Sequence, residues 1–402
     1  MENYWVRRMK IKTNYQLGQF MTFEFSKNKP IHNWFWYKEG FAPEIVEYAI
    51  KGSNKTNLIL DPFCGVGTTL LTAKQHQINS IGVDASPLAV FASKTKTEDY
   101  SNEDLENVEM FIQNIGAILK TQRSDQQLRW DFELFSPRAA FPKRNYNQIL
   151  ALREAIEQHE GRVRNILLMA LLSTLPQASI IMKDGGVLKI KKNKHALPAK
   201  EIFKRKTKQI IRDLKEQTAT GHSPQTFLGD ARALDIPSES IDLIVTSPPY
   251  LNNIDYSKIY GLELSLLHMS KAEAEEVRMR AIRSFIKTGN QRLGTGDGQQ
   301  GNDMPPEVGE IGTNIPIIGT YFKDMERSIM EMFRVLRPGG SSHVIVSNSV
   351  IHQTHVLVDE VFAEMAERIG FTETEIIVGA ERIADVRPHK VKTRESIVVM
   401  RK

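Results

Sequence analysis

The chain has 402 residues, of which 41% are hydrophobic and 25% charged, with a formal net charge of +5. This is the composition of a globular protein with a core large enough to need no staple, long enough for two or three domains or for one large α/β domain with an insertion. The single cysteine, Cys64, excludes an intramolecular disulfide and a multi-cysteine zinc site, which fits a reducing cytoplasm. The amino terminus lacks the apolar core of a signal peptide, and the most apolar stretch, 166–175, is too short to span a bilayer and runs into Pro176.

Residues 1–40 are rich in aromatics (Tyr4, Trp5, Trp34, Phe35, Trp36, Tyr37) and read as an arm packed over a domain face. Phe41-Ala42-Pro43 opens a helix, with Pro43 early and Ile45, Val46, Ala49 and Ile50 on one side. The run 57–70 reads as a short apolar strand ending in Asp61, a tight loop holding Gly65 and Gly67, and a helix over 68–76. Glycine lets backbone approach a ligand closely, and a helix start offers free N–H groups and a positive dipole end. A second strand, 80–84, ends in Asp84, about 20 residues after the glycines, where an acid bonds ribose hydroxyls in nucleotide-binding α/β units. The glycine spacing is neither G-x-G-x-x-G nor that of a phosphate loop. A helix over 87–97 completes the β-α-β-α run.

Residues 100–225 break the alternation and read as helices over 107–120, 147–159, 162–173 and 199–217. Lysines crowd this stretch. Lys191, Lys192, Lys204 and Lys206 are candidates for phosphate contacts, although such a run reads equally as a solvated face. A third strand ends in Asp230, and a fourth, 241–246, runs into Ser247-Pro248-Pro249-Tyr250. Neither proline can donate to a ladder, and each fixes φ, so this turn is stiff and has an aromatic directly behind it. That suits holding a flat ring whose exocyclic amine donates to Ser247 and a proline carbonyl; read alone, it is equally an ordinary strand-to-loop turn. A helix over 257–269, a Gly/Asn/Gln/Pro-rich loop over 286–316 and a helix over 321–335 follow. The last helix stops at Arg337-Pro338-Gly339-Gly340. Strand 343–347, helix 357–369 and strands 373–378 and 396–400 finish the chain.

The alternation predicts an α/β, doubly wound, mostly parallel sheet. Such sheets bind ligands beyond the carboxyl ends of their strands, so Asp61, Asp84, Asp230 and Ser247–Tyr250 are expected to converge on one cleft. Three regions are expected: 1–100, the arm and cofactor-binding half; 101–225, a helical basic insertion and candidate target-recognition region; 226–402, the catalytic half with its flexible loop.

These motifs resemble those of the S-adenosylmethionine-dependent, amino-methylating DNA methyltransferases. Asp61-Pro62-Phe63-Cys64-Gly65-Val66-Gly67-Thr68-Thr69 resembles the family's cofactor motif, and Thr246-Ser247-Pro248-Pro249-Tyr250 its catalytic motif. Phe41-Ala42-Pro43 resembles the segment that closes over the cofactor, and Val335–Gly340 the turn before the fifth strand. The resemblance implies a Rossmann-like sheet with an antiparallel last strand. It assigns Phe41, Asp61, Phe63, Gly65, Gly67, Thr68, Asp84 and Asp230 to S-adenosylmethionine. Gly65 and Gly67 would lie against its methionine part with Asp61 and Thr68 nearby, Asp84 would hold the ribose, and Asp230 would receive the adenine amine. Ser247, Pro248, Pro249 and Tyr250 would hold a base flipped out of double-stranded DNA, Tyr250 stacking on it.

In this family Ser-Pro-Pro-Tyr tends to mark cytosine N4, and Asp- or Asn-Pro-Pro-Tyr adenine N6. The implied partners are double-stranded DNA and a cognate restriction endonuclease, with no metal and no membrane, in the cytoplasm. Cytosine carbon-5 chemistry would need a cysteine beside the base, whereas Cys64 lies in the cofactor loop. Many serine-type members carry the catalytic motif first; here the cofactor motif precedes it. The rival readings are a DNA adenine-N6 enzyme, a transfer-RNA guanine-N2 enzyme, whose cofactor motif also begins Asp-Pro-Phe-Cys-Gly, and a nucleic-acid-binding protein without catalysis. The RNA enzymes usually carry Asp-Pro-Pro-Tyr and an added amino-terminal RNA-binding domain, for which the segment before Asp61 is expected to be too short.

Overall fold

The computed structural model describes residues 10–53, 56–121, 137–184, 187–217, 221–252, 254–267, 271–284, 304–386 and 389–402. Its strands are β1 (Lys10–Thr13), β2 (Leu58–Asp61), β3 (Asn79–Asp84), β4 (Ile181–Asp184), β5 (Val187–Ile190), β6 (Gln225–Leu228), β7 (Ile241–Thr246), β8 (Leu336–Ser347), β9 (Ser349–Ile351), β10 (Thr354–Val356), β11 (Glu373–Val386) and β12 (His389–Arg401). Eight of them form one sheet in the order β1-β11-β12-β8-β7-β2-β3-β6. From β8 to β6 every pairing is parallel. The last strand, β12, inserts antiparallel between β8 and β11, and β1 adds a parallel edge. The fold is thus α/β and doubly wound, with an antiparallel last strand.

Both faces of the central strands are apolar because both are covered. Leu243, Val245, Ile345, Ile397 and Val399 pack with Ile45, Val46, Ala49 and Ala73 of helices Pro43–Gly52 and Thr68–Gln75. The alternate residues Ile244, Val344, Val346, Val398 and Met400 pack with Phe322, Met325, Ile329, Phe362 and Met365 of helices Pro316–Val335 and Val358–Ile369 on the other face. The strand period of two therefore assigns each residue of an unbroken apolar run to one layer.

Helices Asn102–Thr121, Lys143–Ile156, Gly161–Ala178 and Ala199–Glu216 share one further core with residues of helix Pro87–Thr97 and of the aromatic arm. Trp34 is the peg of that junction. Its ring is buried, its Nε1–H donates to Asp213 Oδ2 at 2.9 Å, and its carbonyl accepts from the Ser173 hydroxyl. The arm is thus clamped beneath the helices of 102–216.

Several elements differ from expectation. The 100–225 region also holds the β4–β5 hairpin, whose strands flank the sequence Gly185-Gly186. Such a dipeptide between alternating residues is a hairpin signal that the helical periodicity around it outweighed. The helix expected over 257–269 is broken into Tyr256–Ile259 and Gly261–Leu266. Of the loop expected over 286–316, residues 286–303 lie outside the described residues, but Gly309–Asn314 is helical and Pro316 starts the next helix at a position that needs no N–H. Tyr4 and Trp5 also lie outside the described residues.

Candidate active site

A cavity of about 340 Å³ opens at the carboxyl edge of the parallel strands. One wall consists of the turns that leave β2, β3, β6 and β7. Phe63, Gly65, Thr68, Asp61, Asp84 and Asp230 line it, and so do Phe41 and all four residues of Ser247–Tyr250.

Hydrogen bonds between neighbouring turns fix that wall. Asp61, at the end of β2, is buried; its Oδ1 accepts from the Thr246 hydroxyl at 2.6 Å and the Phe63 N–H at 3.1 Å. Burial outweighs these donors and pushes its carboxyl up to about 7. Asp84, at the end of β3, accepts from the Gly65 N–H at 2.9 Å on one oxygen and the Ser86 N–H at 2.8 Å on the other. Burial again prevails and raises it to about 6. The acid after β3 thus pins the glycine loop after β2.

The two glycines of the loop differ. Both have positive φ, +49° at Gly65 and +82° at Gly67. Gly65 lines the cavity, and a Cβ there would meet only the Tyr37 ring, at 3.5 Å. Gly67 is not among the lining residues. A Cβ there would come within 2.5 Å of Ser93 Oγ and 3.0 Å of Ser93 Cα. Its expected place against a ligand gives way to close packing of helix Thr68–Gln75 on helix Pro87–Thr97. Asp230 reaches the cavity with its own cation: Arg232 donates from Nε to Oδ1 at 2.9 Å and from Nη2 to Oδ2 at 2.7 Å, while its Nη1 lies 3.0 Å from buried Asp324. The Arg232 backbone N–H also donates to Oδ1, at 2.9 Å, so of a carboxylate's roughly four acceptor sites about one is left for a ligand amine. The Tyr250 hydroxyl donates to Glu395 Oε1 at 3.4 Å, and burial together with that carboxylate raises its pKa, so the phenol stays protonated.

A second wall, which meets the first where Tyr37 reaches the Gly65 turn, escaped the sequence reading. Tyr37 stacks on Tyr260, centroids 4.8 Å apart and planes 15° from parallel. The Tyr260 hydroxyl donates to Glu39 Oε2 at 2.6 Å and accepts from the Lys38 N–H at 3.3 Å. On its outer side Lys183 Nζ, from β4, sits 3.7 Å over the Tyr260 ring and 3.1 Å from buried Glu263. Tyr256, Arg278 and Arg280 complete this wall. Tyr256 and Tyr260 are four residues apart, a same-face helical spacing just after the proline turn, which was the available signal.

None of Lys191, Lys192, Lys204 and Lys206 lines the cavity. Lys191 and Lys192 are exposed behind β5. Lys204 and Lys206 are half-buried on helix Ala199–Glu216, and burial lowers the Lys206 pKa. The exposed cations of that helix are Arg205, Lys208, Arg212 and Lys215, at the three- and four-residue spacing of one face.

Residues 3–95 match a family described as DNA methylase. The chain is 26% identical to the type II methyltransferase M.BsoBI of Geobacillus stearothermophilus over 96% of its length and 88% of that protein's. It is 27% identical to the type II methyltransferase M.AvaI of Anabaena variabilis over 90% and 83%. A solved S-adenosylmethionine-dependent methyltransferase from Methanosarcina mazei overlaps 88% of this chain and 96% of its own at 10% identity, with a TM-score of 0.31.

Proposed function

We propose that this chain is an S-adenosylmethionine-dependent amino-methyltransferase that modifies DNA site-specifically and acts on the exocyclic N4 amine of cytosine. One observation carries the reading: Ser247, Pro248, Pro249 and Tyr250 line the same cavity as Asp61, Gly65, Asp84 and Asp230. The serine at the head of the turn, where adenine-N6 enzymes tend to carry aspartate or asparagine, favours cytosine. The relatives' type II designation supports a place in a restriction-modification system beside a cognate endonuclease.

The lining fits the cofactor. It combines a glycine turn of positive φ, apolar Phe41, Phe63 and Val66, and the strand-end carboxyl groups of Asp61, Asp84 and Asp230 in a cavity of nucleoside scale. Phe41, Asp61, Phe63, Gly65, Thr68, Asp84 and Asp230 would hold it, with Asp84 toward the ribose and Asp230 toward the adenine amine. When bound, S-adenosylmethionine supplies an electrophilic methyl group on a cationic sulfur. Ser247 and a proline carbonyl accept from the target amine and hold its nitrogen for in-line attack, which a conjugated, weakly nucleophilic amine needs. Tyr250 stacks on the flipped base.

The test is to digest DNA from cells expressing the protein to nucleosides and identify them by mass spectrometry. N4-methylcytosine is expected, and Cys64→Ser leaves it in place. N6-methyladenine alone overturns the cytosine reading; 5-methylcytosine overturns the mechanism. Methylated guanine in transfer RNA, with unmodified DNA, overturns DNA as the substrate.

A further inference from the structure

We infer that the free end of the β11–β12 ribbon is an arm that contacts duplex DNA beside the target nucleotide, and that Glu395 joins that arm to Tyr250. The inference rests on the reading of Ser247–Tyr250 as the turn that receives the base.

The ribbon outruns the sheet. β8 follows β12 only as far as the pair Ser347–Glu395, and β1 follows β11 only as far as Thr13–Val378, where the register of the ribbon also shifts. Beyond this, Glu381 to Val386 pairs with His389 to Arg394 and, among the described residues, with no third strand. Six residues at the rise of an antiparallel strand carry it about 20 Å past the sheet. It leaves at the edge where parallel β7 and β8 end, which is the edge of the cavity.

At its root the ribbon touches the proposed base site. The Tyr250 hydroxyl donates to Glu395 Oε1 at 3.4 Å, and Glu395 Oε2 accepts from Arg382 Nη2 at 2.9 Å. Arg382 and Thr393 face each other across the ribbon, as do Ile383 and Lys392 on its other side. The outer side chains bury little: Lys392 is 79% and Arg382 54% exposed. Ile383, 66% exposed, belongs to none of the apolar cores among the described residues.

Charge decides the partner. Residues 381–395 carry Arg382, Arg387, Lys390, Lys392 and Arg394 against Glu381, Asp385 and Glu395. Glu395 is spent inward on Arg382 and Tyr250, Arg394 on Asp359 and Glu360, and Lys392 lies 3.7 Å from exposed Glu381, so the ribbon keeps a small positive excess, with Arg382, Lys390 and Lys392 all exposed to solvent. A two-stranded ribbon has the width of the major groove, its lysines meet phosphates, and an apolar residue between them meets base edges.

The full-length protein with Lys390→Gln and Lys392→Gln tests the arm against a labelled duplex, with affinity followed over a salt series. The slope of log affinity against log salt is expected to shrink by roughly 0.9 per lost phosphate contact, with cofactor affinity unchanged by calorimetry. Because Cys64 is buried, Lys392→Cys accepts a photoreactive label selectively, and that label is expected to cross-link to the duplex. An unchanged slope without a cross-link overturns the arm while leaving DNA methylation standing. An unchanged slope with an altered sedimentation mass overturns it in favour of contact with a second copy. Wild-type protein that binds cofactor but modifies no DNA overturns the base-site reading itself, and the arm with it.

Discussion

The two walls of the cavity are built on different principles. The strand-end wall is held by backbone and short side chains: Asp84 ties the turn after β2 to the turn after β3, and Thr246 ties β7 to Asp61. Its geometry follows once the parallel strands are in register. The tyrosine wall draws Tyr37 from the arm, Tyr256 and Tyr260 from the segment after the catalytic turn, and Lys183 from a hairpin within the 100–225 region. It exists only while those three pieces stay docked, and Trp34 with Asp213 is one of the fastenings. The first wall is therefore suited to fixing a ligand's position, and the second to depending on what the arm and insertion do.

The largest effect should come from Gly67, which lies behind the strand-end wall. Gly67→Val puts a β-branched side chain at φ +82° and against the Ser93 backbone. Overpacking costs roughly 1–3 kcal/mol and left-handed backbone roughly 1–2 more. Thermal denaturation should show a large loss of stability with cofactor present or absent. A variant of wild-type stability that fails only to bind cofactor would return Gly67 to the ligand. Gly65→Ala carries the left-handed cost alone, since its Cβ would meet Tyr37 at ordinary contact distance.

Ser247→Ala comes next and acts on turnover. One preorganised hydrogen bond in an active site is worth about 100-fold. Cofactor affinity should be kept, because in the proposed site the other turns would hold it. A turnover within a few-fold of wild type would remove Ser247 from the chemistry. Tyr260→Phe probes the tyrosine wall. It removes the donor to Glu39 and should loosen Tyr37 and the arm, for about a tenfold loss of cofactor affinity. Its thermal stability should barely move. Unchanged affinity would make this wall packing only.

How far each wall could be read in advance follows from what holds it. Asp61, Asp84, Asp230 and Ser247 each stand at the end of an apolar run, so a local pattern and the rule for parallel sheets bring them to one edge. Gly67 was legible as a glycine of special backbone but not by its neighbour, since Ser93 is set by helix packing across 26 positions of sequence. The tyrosine wall had no local signature: Tyr37 reads as one aromatic among several, and Lys183 as one lysine in a basic run. Helix Ala199–Glu216 shows the same limit. A count of lysines picked Lys204 and Lys206, whereas the helical period exposes Arg205, Lys208, Arg212 and Lys215.

An effect of the same size as that of Tyr260→Phe is one of pH, and it separates binding from folding within the strand-end wall. Asp84 sits at about 6 and Asp61 at about 7, each raised from 3.8 by burial. A carboxyl raised on folding contributes stability that is fully present below its unfolded value and is lost as pH rises through its folded value. The ligand-free protein should therefore lose stability between about pH 4 and 7. Cofactor binding should move the other way, because in the proposed site ribose hydroxyls would donate to an ionised Asp84, and one unit below its pKa only about a tenth is ionised. Affinity at pH 5 should be about tenfold weaker than at pH 8, so the rise in Tm on adding S-adenosylmethionine should be larger at pH 8. Asp84→Asn should bind weakly at both pH values and flatten the difference. A cofactor-induced rise in Tm equal at pH 5 and pH 8 in the wild-type protein would take the ribose away from Asp84.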